Sequence, residues 1–175
     1  MKSFTIFCGL CAAVLVGYSQ NLVQNYSFET YSTCPNTASQ LTCAVPWNNS
    51  QNSPEYLNSC SSSIYSDVPT NYFGFQNAAT GQAYGGGLFY GSFLSSYLAN
   101  IREFLYVPLS SPLAIGTTYY LQFKINLVDN SNYAVNRMGM QFCSSFNSAF
   151  PLNNTAHLYS AAVISDKVNW TTVTG

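Results

Sequence analysis

From residue 20 onward, apolar and polar positions repeatedly alternate with a period of two, the spacing of strands that bury one face. The clearest run is 117–128, where Tyr119, Leu121, Phe123, Ile125 and Leu127 alternate with Tyr120, Gln122, Lys124 and Asn126. Its odd-numbered side chains are expected to face the core. In 101–109, Ile101, Glu103, Leu105, Val107 and Leu109 alternate with Arg102, Phe104 and Tyr106, and the loop 110–116 joins the two runs. Beyond the turn-forming Asp129-Asn130-Ser131-Asn132, the stretch 133–143 sets Met138, Met140 and Phe142 against Arg137, Gly139 and Gln141. Stretches 158–164 and 170–174 predict further strands, and 83–90 predicts a glycine-loaded one. There Gly85, Gly86 and Gly87 point to a bulge or a close backbone approach. No segment sustains a helical period, so the pattern predicts an all-β domain, a sandwich or a barrel.

The stretch 21–76 reads differently, with many Ser, Asn, Pro and Cys residues and few periodic runs. It is expected to form long loops tied down by disulfides. No internal repeat, charge run or linker divides 20–175, which predicts a single domain.

Composition sharpens this picture. Only 6% of the residues are charged, against roughly 25% in an average soluble protein, while 47% are hydrophobic and 16% aromatic. The polar surface is therefore built from hydroxyls and amides, and there is enough apolar area to offset chain entropy. A net charge of −1 gives no electrostatic footprint for nucleic acid or anionic lipid. His157 is the sole histidine, so no H-E-x-x-H site exists. Gly85-Gly86-Gly87 lacks the final glycine of a dinucleotide fingerprint, since position 90 is Tyr. No G-x-S-x-G occurs, and the serines at 59, 61, 62 and 63 have no base nearby in sequence.

The acids are Glu29, Glu55, Asp67, Glu103, Asp129 and Asp166. Glu103, predicted to point inward beside Arg102, reads as half of a buried ion pair or as an acceptor for loop backbone. Spacing leaves a glycosidase-like pair such as Glu29 with Glu55 open, but the chain is read as non-catalytic. Trp47, Tyr56, Tyr72 and Tyr90 lie in or beside loops and are the candidate platforms for stacking on a sugar.

Residues 1–19 have the three parts of a cleavable signal peptide: Lys2, the apolar run 4–16, and Gly17-Tyr18-Ser19 with small residues at the −3 and −1 positions. The run is shorter than a membrane span, which predicts no span in the mature chain. Cys8 and Cys11 fall within this leader. Cys34, Cys43, Cys60 and Cys143 remain, an even set that favours two disulfides in an exported chain and allows three pairings.

Asn21-Leu22-Val23-Gln24-Asn25-Tyr26-Ser27-Phe28-Glu29, followed by Trp47, resembles the opening of galactose-binding-like carbohydrate-binding modules. The segments 31–35, 53–60, 68–76 and 79–86, then Arg102-Glu103-Phe104, 113–119 and Trp170, follow in an order similar to the N-terminal domain of exported cell-surface proteins of Bacteroidota-type bacteria. The resemblance implies a jelly-roll β-sandwich, here lacking its last strands, with Cys34 bridged to Cys60; Cys43 and Cys143 are extras to the family pattern and are the candidates for a second bridge. It also implies a structural calcium near Glu29, and continuation into an OmpA-like or type IX sorting domain that this sequence does not contain. The expected function is a non-catalytic, secreted or surface-held glycan-binding module. The alternative is a structural, protein-interacting module of the bacterial cell envelope without a sugar site.

Overall fold

The computed structural model describes residues 20–49, 52–89, 102–144 and 156–175. Residues 1–19, read above as a signal peptide, Tyr90 and Ile101 lie outside the described residues. Among the described residues ten short strands carry the fold: β1 (Asn48–Asn49), β2 (Glu55–Asn58), β3 (Thr70–Asn71), β4 (Gly74–Phe75), β5 (Ala83–Gly86), β6 (Leu105–Tyr106), β7 (Gln122–Ile125), β8 (Gly139–Met140), β9 (Leu158–Tyr159) and β10 (Thr171–Thr174). A single 3-10 turn, Leu41–Cys43, is the one helical element among the described residues. The architecture is all-β, as the alternation predicts. No helix of the described residues is long and apolar enough to cross a membrane.

All strand pairing is antiparallel and two-stranded: β1 with β6, β2 with β5, β3 with β4, β7 with β10 and β8 with β9. Single bridges add Val23 to Leu109, Tyr31 to Ala44 and Val135 to Ile164. The run 117–128 contributes only the four residues of β7, because its partner β10 offers four: Thr171 opposite Ile125 through Thr174 opposite Gln122. Within β7 the expected facing holds, with Phe123 and Ile125 partly buried and Gln122 and Lys124 exposed. In 101–109 the ladder shortens to two residues. Its partner β1 follows directly on Pro46 and Trp47, and proline has no N–H to extend a ladder.

The first third carries the buried centre of the molecule, which its irregular sequence did not predict. Tyr56, Leu57 and Asn58 on β2 are at most 3% exposed. Ala44, Tyr56 and Ala83 form one cluster, with Phe28, Cys43 and Trp47 packed against it. Gly85 lies where β5 passes Leu105 and Phe28. A Cβ there would come within 2.7 Å of the Leu105 side chain, which is the close approach the glycine run suggests. The buried polar residue of β2, Asn58, is paired: its amide donates to Tyr56 Oη at 2.7 Å and its Oδ1 accepts Cys60 N–H at 2.9 Å. Buried polar groups so satisfied avoid the cost of desolvation.

Cys34 and Cys60 are bridged, 26 residues apart in sequence. The expected second bridge is absent. Cys43 and Cys143 are both free, since Cys43 sits on the 3-10 turn against the core and beside Thr33, whereas Cys143 is exposed beyond β8.

All six carboxylates of the chain receive backbone N–H donors. Glu29 Oε1 accepts Gln82 and Ala83, Glu55 accepts Ser39, and Asp67 accepts Val68. Glu103 accepts Ser53 at 3.0 Å and Leu88 at 2.7 Å, while Asp129 accepts Phe75 and Asp166 accepts Val168 and Asn169. Glu103 is thus the loop-backbone acceptor of its two expected roles. Arg102 Nε is buried without a hydrogen-bond partner among the described residues.

Candidate functional site

A cleft of about 410 Å³ opens between the segment Phe75 to Ala79 and the segment Lys167 to Trp170. One wall is the hairpin β3–β4. Asn71 shapes its turn by accepting Phe73 N–H at 3.0 Å and donating to the Asp67 carbonyl at 2.9 Å. Gly74, at φ +134°, leaves room for Asp129, whose carboxyl would lie 2.5 Å from any Cβ placed there. This close approach lets Asp129 Oδ2 accept Phe75 N–H at 2.8 Å. The Asn130 amide adds a bond to the Tyr72 carbonyl at 2.6 Å.

The opposite wall is a turn organised by Asp166. Its carboxylate accepts the backbone N–H groups of Asn169 and Val168 and the Asn169 side chain. These bonds favour the charged form and hold the carboxyl below its ordinary value. Lys167 Nζ donates to the carbonyls of Asp129 at 2.7 Å and Ser131 at 2.8 Å, which leaves one of its three ammonium donors uncommitted among the described residues. Trp170 closes the floor, donating Nε1–H to the Asn77 carbonyl at 2.9 Å and meeting Tyr84 edge-on at 5.5 Å. Desolvation pushes the Tyr84 phenol up, and the Asn71 amide partly opposes that shift.

The resulting surface combines an apolar face with polar groups. Phe75 is 57% exposed and Val168 77%. Gln76, Asn77 and Asn169 bring amides, and Asp129 and Lys167 bring one charge of each sign.

The sequence-predicted ligand residues are not gathered here. Trp47 is stacked on Phe28 at 4.5 Å and its Nε1–H is bound to the Asn25 carbonyl. Tyr56 is 1% exposed and donates to the Phe28 carbonyl at 2.9 Å; burial pushes its phenol up to about 12. Tyr56 is thereby corrected to a core position, while Trp47 packs partly buried against that core; each finds a backbone acceptor. Tyr72 is exposed beside Tyr65, at the tip of the hairpin that carries Phe75. Tyr90 lies outside the described residues.

Glu29, the expected calcium ligand, spends Oε1 on two amides. No group of three or more His, Cys, Asp or Glu comes together among the described residues. Calcium takes six to eight oxygens, and the two groups bonded to Glu29 Oε1 are N–H donors. Sequence reading missed Phe75, Asn77, Lys167 and Asn169. The signals that bear on them are the turn tetrapeptide 129–132 and Trp170, both noted above for other reasons. No family model, curated protein or solved structure matches the chain.

Proposed function

We infer that this chain is an exported, non-catalytic binding module, a jelly-roll-type sandwich related to carbohydrate-binding domains, and that its cleft beside Phe75 takes a neutral glycan. The observation that carries the reading is the exposed Phe75 ring beside the amides of Gln76, Asn77 and Asn169. A sugar ring presents C–H groups to an aromatic face and hydroxyls to amides, and this cleft offers both. The remaining Lys167 donor and Asp129 extend the polar set without giving the cleft a net sign. The non-catalytic part of the reading is supported by the carboxylates, each of which is already engaged by loop backbone. Export is supported by the leader-like residues 1–19 and by the Cys34–Cys60 bridge, which suits an oxidising compartment.

A glycan array probed with folded wild-type protein and with Phe75→Ala tests the proposal. We expect retention of at least one neutral glycan, weakened about tenfold by Phe75→Ala, with an unchanged thermal midpoint because the ring is exposed. Uniform blanks from folded protein would sink it.

One observation favours the second reading, a protein-interacting module of the cell envelope. Ile64, Tyr65 and Tyr72 are 66%, 42% and 63% exposed, and Tyr72 N–H is bonded to the Ile64 carbonyl, so they form one apolar patch. That reading expects a blank array and loss of partner binding in Tyr72→Ser.

A further inference from the structure

The ribbon of β7 and β10 has two open edges that differ in character. Leu121 and Gly175 exchange both backbone hydrogen bonds, at 2.8 and 3.1 Å, and this fixes the alternation along the antiparallel ladder. Phe123 with Val173 and Ile125 with Thr171 are then hydrogen-bonded pairs, whereas Gln122 with Thr174 and Lys124 with Thr172 are not. The N–H and C=O groups of Thr172 and Thr174 therefore point away from β7. None of them has a partner among the described residues.

The outer edge of β7 carries Lys124, exposed and charged, a residue type that blocks strand addition. The strand β10 is Thr-Thr-Val-Thr, β-branched throughout and free of charge and proline. A shallow groove of about 310 Å³ runs along β10, with Tyr159, Ser160 and Ile164 on its far side and no charged residue in its lining. Ser160 is 5% exposed, and its hydroxyl has no hydrogen-bond partner among the described residues.

We propose that β10 is a dimerisation edge, to which β10 of a second copy of this chain adds antiparallel about a two-fold axis through Val173. The edge is complementary to itself. Thr172 of one copy meets Thr174 of the other, both with outward backbone groups, and the pair exchanges two hydrogen bonds. Symmetry supplies two more, and Val173 faces its own counterpart as the pair without bonds. Two marginal ribbons become one four-stranded sheet, which is a more stable unit than either alone. The uncharged groove gives a charged partner nothing to pair with. The proposal does not rest on the glycan reading.

Sedimentation velocity across a concentration series tests it, in a Cys143→Ser background so that the exposed thiol contributes no covalent dimer. We expect a reversible dimer that Thr172→Pro weakens by about tenfold or more, since it removes two of the four interchain donors. The Thr172 N–H points away from β7, so proline there leaves the ladder to β7 intact, and circular dichroism should show an unchanged fold. A second variant, Thr172→Lys with Thr174→Lys, keeps every backbone group but sets like charges opposite each other across the axis. It should dissociate the dimer, with partial recovery in high salt. A monomer at every concentration, or a dimer indifferent to both variants, overturns the proposal.

Discussion

Between residues 20 and 89 the backbone is mostly irregular, yet it buries Leu41, Ala44, Tyr56, Leu57, Val68 and Ala83. Between 102 and 175 the sequence alternates regularly, yet among the described residues only Ile164 and Val173 are buried hydrophobics. The first region holds its loops by fixed attachments: the Cys34–Cys60 bridge, the carboxylates of Glu29 and Glu55 on loop amides, and Asn25, whose side chain contacts both Thr30 and Val45. The second spreads its apolar residues over two-stranded ribbons, and a ribbon has too few neighbours to cover both faces. Tyr120, Tyr133 and Val163 stay more than half exposed as a result. Regular alternation identifies a strand. It does not show that the strand is covered.

The strongest way to break this comparison is Tyr56→Ala. Tyr56 sits at the centre of the first region with its hydroxyl bonded to the Phe28 carbonyl and to Asn58. The variant removes a filled volume and leaves both partners unpaired, so we expect a loss of about 3–5 kcal/mol in urea or thermal unfolding. A loss below about 1 kcal/mol would mean that the first region is not the stabilising core.

Reduction of Cys34–Cys60 comes next, at about 3 kcal/mol for a loop of this length. It should act on the first region before the second. Trp47 reports the first region from its stack on Phe28, so a Trp170→Phe background makes its fluorescence a local probe. On reduction the Trp47 transition should move to lower temperature. A Trp47 transition unmoved by reduction would detach the bridge from the stability of the core.

The two regions were legible in the sequence to different degrees. All-β class and the facing of β7 follow from alternation, and the inward placing of Glu103 narrowed its role to two, between which the Ser53 and Leu88 amides decide. The centre did not, because β2 reads Glu-Tyr-Leu-Asn and its burial depends on partners distant in sequence: Ser66 for Asn58, Phe28 for Tyr56, and Ser39 for Glu55. Burial raises the Glu55 carboxyl, against the Ser39 amide that lowers it and with Glu103 nearby raising it further, and none of those neighbours is local in the sequence. The candidate cleft was hidden for the same reason. Phe75 and Asn169 meet only because Asp129 and Lys167 tie the hairpin to the turn after residue 165. Proximity to loops did not separate exposed aromatics from packed ones, because Trp47 and Tyr56 donate to backbone acceptors of the fold.

The smallest effect gives the sharpest contrast. Tyr120 is the same residue type as Tyr56, sits in the most regular run of the chain, and is 74% exposed on the side the alternation assigns to solvent. Tyr120→Ser therefore removes little buried area, and we expect stability to stay within about 0.5 kcal/mol of wild type. The paired outcome matters more than either value. If Tyr120→Ser approached the cost of Tyr56→Ala, the ribbons would have to be covered in solution by something beyond the described residues, and the division into a buried first region and an exposed second one would fail. If the two variants separate as expected, stability follows the attachments of the first region, and the open strands of the second are left free to serve as binding edges.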